Sequence, residues 1–274
     1  MNRKSFFLRI WNRVNDHDIF GGAAQLSYYF LLALFPLLLF LVTLLGYFAD
    51  AGSELRRKLM TYLASVMPGS AVTLVHATLD EISDAKGGAK LSLGILAALW
   101  AASNGMGAIS ATLNAAYGVK ETRSWWKVRL VSIALTIAVS LMIVVALALV
   151  MYGGHIGERL AAHFDLSNAF TTIWKLVQWP IAIFFLMLTF NMIYYYAPDG
   201  DKGKRRWWTL GTITAIALWL LVSLGFRLYL HFFNSYSVTY GSLGALIVLM
   251  LWFYFTGLAI LIGGEINSEL ENDR

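Results

Sequence analysis

The chain has 274 residues, of which 58% are hydrophobic and only 14% charged. Soluble proteins carry about a quarter charged residues, so the composition excludes an ordinary soluble domain and points to a membrane protein. The net charge of +5 is spread over short stretches between apolar runs, so no nucleic-acid partner is expected, and the absence of cysteine excludes disulfide and thiol chemistry.

The first stretch, MNRKSFFLRIWNRV, interleaves basic residues with Phe6, Phe7, Leu8, Ile10 and Trp11. It lacks the long apolar region and small-residue cleavage site of a signal peptide, and predicts an amphipathic segment lying on the membrane surface. Asp16-His17-Asp18 follows. It reads as a helix start, with Asp18 as cap, before a metal site.

Six apolar runs are long enough to cross a bilayer, which takes about 20 residues. They are placed at about 23–49, 91–117, 128–152, 176–197, 208–230 and 243–264. The first carries Pro36 near its middle, where a kink is expected. The segment 50–90 repeats Leu55, Leu59, Leu63 and Val66, then Val72, Val75, Leu79 and Ile82, around Pro68-Gly69. That spacing predicts two amphipathic helices joined at the break. The third span has Arg129 at its edge. The connection 153–175 is expected to hold a short helix, and 231–242 to be an interfacial turn or re-entrant segment. Period-2 alternation is absent, against a β-barrel. The expected fold is all-α: one integral membrane domain, 1–274, of six transmembrane helices, with an amphipathic helical hairpin between the first two spans.

Most of the 21 lysines and arginines fall on one side if the N-terminus is cytoplasmic. The short stretches 118–127 and 198–207 hold Lys120, Arg123, Lys127, Lys202, Lys204, Arg205 and Arg206, and short loops set orientation. Both termini are therefore expected in the cytoplasm.

The second span is unusual. WAASNGMGAISATLNAAYG (100–118) puts Ser103, Gly107, Ser110 and Asn114 within about 60° of one another at 100° per residue. Asn104, Ala108, Ala111 and Ala115 form the adjacent stripe, and Met106, Ile109 and Leu113 lie opposite. Small and polar faces let helices pack closely. They also wall substrate cavities, and a polar residue at mid-span, such as Asn104, is costly without a role. Both readings stay open. The candidate cavity residues are Ser103, Asn104, Gly107, Ser110, Asn114, the kink at Pro36, and Arg227 inside the fifth span, which either snorkels or faces the bundle. Glu265, Asn267 and Glu269 close the sixth span. A solvated end is expected there, with Arg205 or Arg206 as available partners.

None of the five histidines has metal-ligand spacing to another, and GxSxG, P-loop and GxGxxG patterns are absent. No catalytic residue, metal or cofactor is expected.

Three blocks resemble the YihY/BrkB family of bacterial inner-membrane proteins: AAQLSYYFLLALFPLLLFL, LWAASNGMGAISATLNAAYGVKETRSWWKVRL and SYSVTYGSLGALIVLMLWFYFTGLAILIGGEINSEL. The likeness covers about residues 10–271. It implies six transmembrane helices and a bacterial inner-membrane location. The family's former ribonuclease BN label, regarded as a misassignment, finds no support in this sequence. The recurrent family positions match at Ala24, Tyr28, Pro36, Asn114, Tyr117, Gly118, Tyr240, Gly241, Gly244, Gly264, Glu265 and Asn267, and the likeness assigns none of them a role. The expected function is transport or export of a lipid-like or small charged substrate, with membrane lipids as partners. The alternative is a non-catalytic scaffold in envelope assembly.

Overall fold

The computed structural model describes residues 3–48, 61, 88–163, 168–200, 209–232 and 236–272. Among these the structure is helical: α1 (Arg3–Asp16), α2 (Ile19–Phe48), α3 (Gly88–Ala116), α4 (Trp125–His163), α5 (Asn168–Tyr196), α6 (Leu210–Phe232) and α7 (Tyr236–Asn272). The amphipathic hairpin expected within 50–90 lies outside the described residues.

Four helices are apolar and long enough to cross a membrane, over Trp125–Val150, Phe170–Tyr196, Leu210–Tyr229 and Leu246–Glu271. Their large apolar side chains point outward: Leu141 and Leu147 on α4, Leu176 and Phe184 on α5, Leu221 and Leu228 on α6, and Ile247 and Leu251 on α7 are all exposed. Patches of this extent are costly in water and neutral in lipid. α2 adds a shorter apolar stretch, Ile19–Leu34.

Local signals set the helix boundaries. Asp18 sits at φ 46° between α1 and α2. Its side chain accepts a hydrogen bond from Gly21 N (3.2 Å), capping α2. α3 stops where Gly118 takes φ +64°. Gly118 N donates to Ala115 O (3.0 Å) and Val119 N to Asn114 O (2.9 Å), the Schellman pattern that needs a left-handed residue and so favours glycine. α2 continues through Pro36.

Two expectations about connections are corrected. The stretch 153–175 is not a loop with a short helix. α4 runs on to His163 and α5 begins at Asn168. Gly157 leaves room for the Trp174 ring, which a Cβ there would overlap, and Trp174 Nε1 donates to Gly153 O (2.6 Å). Packing across the α4–α5 pair keeps both helices going where the apolar runs end. The stretch 231–242 is not a turn throughout, because α7 already starts at Tyr236.

α2 lies between α3 and α7, antiparallel to both. Gly22 approaches Thr112 and Leu261, Gly105 approaches Ala33, and Gly257 approaches Leu26. Met106, Ile109 and Leu113, expected on the side away from the polar face of α3, are buried in the central cluster with Leu26 and Leu261. α3 is thus enclosed by protein on most of its circumference.

Candidate functional site

One end of the bundle gathers the starts of α2 and α6 with the ends of α1, α3, α5 and α7. Glu265 of α7 is completely buried there. A buried carboxylate requires a paired cation, and α1 supplies it. Arg13 Nε donates to Glu265 Oε2 (2.8 Å), and its other nitrogens reach Ser268 Oγ (2.6 Å), Ala116 O (3.2 Å) and Glu269 Oε2 (3.3 Å). His17 Nδ1 is hydrogen-bonded to Glu265 Oε1 (2.6 Å), and Arg9 pairs with Glu269. The end of α7 is therefore not solvated: among the described residues its partners are Arg9 and Arg13 of α1 and His17 just beyond it, while Arg205 and Arg206 lie outside the described residues. With Arg9 and Arg13 turned inward, Leu8 and Trp11 are left exposed on α1, as suits a helix lying at a membrane surface.

A second node ties the α3–α4 connection to the end of α5. Asn114 Nδ2 donates to Glu121 Oε2 (2.9 Å), and Asn114 Oδ1 accepts from Asp199 N (2.7 Å). Ser110 donates to Ala197 O, and Arg123 reaches Ser110 Oγ (3.2 Å) and Ala197 O (2.9 Å). The hydrogen bond from Arg123 holds the Glu121 carboxyl below its ordinary pKa. The Thr122 hydroxyl and amide hold that of Asp199 down to about 2. At a third node, Asn267 Oδ1 accepts from Gly211 N (3.0 Å) and Asn191 Oδ1 from Thr212 Oγ1 (2.5 Å).

These contacts split the polar stripe of α3. Ser103 is fully buried and donates to Trp100 O (2.7 Å). Ser110 and Asn114 are committed to the second node. The neighbouring stripe meets open space instead. A cavity of about 430 Å³ lies between α2, α3 and α4. α3 lines it with Ala101, Asn104, Gly107, Ala108 and Ala111, α2 with Gln25, Tyr29, Leu32 and Ala33, and α4 with Trp125, Val128, Arg129 and Ser132. Of the candidates read from the sequence, Asn104 and Gly107 reach it. Pro36 falls one turn beyond Leu32 on α2 and is not on its lining. Arg227 is exposed on α6, away from it.

Arg129 is the residue that sequence reasoning passed over. It stands one turn into the apolar stretch of α4, where an arginine looks like an ordinary span edge. Its Nη1 donates to Asn104 Oδ1 (2.7 Å), Nη2 donates to Trp100 O, and the guanidinium lies 3.8 Å from the Trp100 ring centroid. Its Nε is buried without a hydrogen-bond partner. Among the described residues no carboxylate lines the cavity. Its exposed lining residues are both apolar (Leu32, Ala111, Trp125) and polar (Gln25, Asn104). Among the described residues no group of three or more His, Asp or Glu side chains is placed to hold a metal ion.

The model of a protein family described as virulence factor BrkB matches residues 10–274. The chain is 41% identical over 267 residues to the ribonuclease-like protein YfkH of Bacillus subtilis (strain 168), covering 97% of this chain and 95% of that protein. It is 26% identical over 274 residues to UPF0761 membrane proteins of Xanthomonas oryzae pv. oryzae (strain PXO99A) and Xanthomonas campestris pv. campestris (strain B100). Those alignments cover 97% of this chain but only 60% of each relative, so the chain spans well under two thirds of the Xanthomonas proteins. No solved structure matches it.

The clamp on Glu265 makes a stability prediction. Arg13→Ala strands a buried charge and should cost about 3–5 kcal/mol. Adding Glu265→Gln should recover a large part of the loss in thermal unfolding of the purified protein. An Arg13→Ala protein that melts like wild type would refute the clamp. The Asp199 contact makes a pH prediction. Its folded pKa lies below the unfolded value of about 3.9, so its contribution is full above that value and disappears as pH falls through about 2. A carboxyl ¹³C titration should place the Asp199 midpoint near 2, and a midpoint near 4 would show that Thr122 does not hold it.

Proposed function

The chain belongs to the virulence factor BrkB family, and from that premise we propose that it is a bacterial inner-membrane protein that moves a lipid-like or small charged substrate through the cavity between α2, α3 and α4. α2 and α3, of 30 and 29 residues, complete six spans alongside the four apolar helices. At 1.5 Å per residue each is about 44 Å long, against a hydrocarbon core of about 30 Å. The basic stretch 118–127 follows α3 at the end where α1 meets α7, which supports placing both termini in the cytoplasm.

The observation that carries this reading is the placement of Asn104. A polar side chain near the middle of a long helix lines open space and meets Arg129 of α4 there, while Ser103, Ser110 and Asn114 on the adjoining stripe are all packed. Cavities of about 300–1,000 Å³ with apolar walls and a few convergent polar groups are the usual form of small-molecule sites. The role is read as non-catalytic. Glu121, Glu265, Glu269 and Asp199 are already engaged by arginines or by Thr122. The ribonuclease-like name belongs to the Bacillus relative and is not carried over.

The chain has no native thiol, so single cysteines report directly on the two stripes. Asn104→Cys, Ala108→Cys and Ala111→Cys should react with small thiol reagents, one water-soluble and one lipid-soluble, in the folded protein. Ser103→Cys, Ser110→Cys and Asn114→Cys should react only after denaturation. Equal protection at all six positions would contradict the cavity and favour a packed, non-catalytic scaffold in envelope assembly.

A further inference from the structure

We infer that the cavity binds a phosphate-bearing anionic amphiphile, with Arg129 taking the phosphate and the apolar part of the exposed lining leading its chains into the bilayer. This rests on the cavity reading above and names the substrate class for it.

The inference starts from an unbalanced charge. Arg9, Arg13 and Arg123 each meet a carboxylate at the polar end of the bundle. Arg129 meets none. Its contacts are an amide oxygen, a carbonyl oxygen and the face of an indole, all neutral groups. An arginine kept among apolar walls without a counter-charge is costly. Its side chain is nevertheless held back against α3, and Asn104 and Trp100 fix the plane of the guanidinium. A fixed guanidinium fork is the side-chain geometry that matches the oxygens of a phosphate.

The surroundings select an amphiphile. The exposed part of the lining is itself amphipathic, with Leu32, Ala111 and Trp125 beside Gln25 and Asn104. A lipid already in the bilayer can lay its chains on the former and its headgroup on the latter. The cavity volume of about 430 Å³ lies at the small-molecule end of binding sites. It accommodates a headgroup and leaves the acyl chains to run outward along α2 and α4. Tyr29, also on the lining, carries a hydroxyl that can donate to the same phosphate oxygens.

The test uses the full-length protein in nanodiscs of phosphatidylcholine with or without phosphatidylglycerol. It reads retained lipid by native mass spectrometry and the unfolding midpoint in parallel. Wild type should retain phosphatidylglycerol and gain stability from it. Arg129→Gln should lose about tenfold or more of that retention, and Arg129→Lys should keep part of it. A separate arm adds glycerol 3-phosphate to the phosphatidylcholine discs. Stabilisation there that depends on Arg129 would keep the phosphate site and assign it to a soluble ester. Equal retention of both lipids by wild type, with no response to glycerol 3-phosphate, overturns the substrate class even if Arg129→Gln fails to fold. If Asn104→Cys and Ala108→Cys still react with thiol reagents in that case, the cavity survives. If they are protected too, the transport reading fails with it.

Discussion

The buried carboxylate of Glu265 is the constraint around which the polar end of this bundle is arranged. A fully buried charge must be matched, and Arg13 of α1 and His17 just after it reach it from about 250 residues earlier in the chain. Matching it fixes where α1 lies. Arg13 also touches Ala116 at the end of α3 and Ser268 on α7, so one guanidinium joins three helices. The Asp18 cap then passes this anchor to α2, which packs on both α3 and α7, themselves in contact where Gly264 meets Leu113. The face of α1 left over carries Leu8 and Trp11 outward, the pattern of a helix suited to a membrane surface.

With that end fixed, the polar residues of α3 divide by angle. Ser110 and Asn114 point to the Arg123–Asp199 node, where their hydrogen bonds hold two connections together. Asn104, one residue on from Ser103 and so about 100° round the helix, points between α2 and α4. The same small residues that let α2 approach closely at Gly105 leave space at Gly107 and Ala108, one turn away. A helix need not choose between packing and lining a cavity. Here the two uses occupy neighbouring stripes.

Much of this was legible in the sequence, because long apolar runs and helical periodicity are local signals. α4 and α7 begin and end beyond the predicted limits, α5 begins before its limit and α6 ends after its own. α4 outlasts its apolar run because Gly153 and Gly157 accept Gln178 and Trp174 from α5, a pairing that hydropathy does not record. Arg13 and His17 are brought to Glu265 only by tertiary docking across about 250 residues, which no local sequence signal records. The polar face of α3 was found but centred one residue away, on the stripe that packs. Arg129 was overlooked because an arginine at the head of a span is common, and only the direction of its side chain sets it apart.

The central claim is that the α2–α3–α4 cavity is a site for an anionic headgroup held by Arg129. The most direct measurement is a high-resolution experimental structure in nanodiscs containing phosphatidylglycerol. The account predicts phosphate density against the Arg129 guanidinium, with acyl density leaving past Leu32 and Trp125. A structure in which α3 closes on α4, and Arg129 turns away to bulk headgroups with no density beside Asn104, would contradict it.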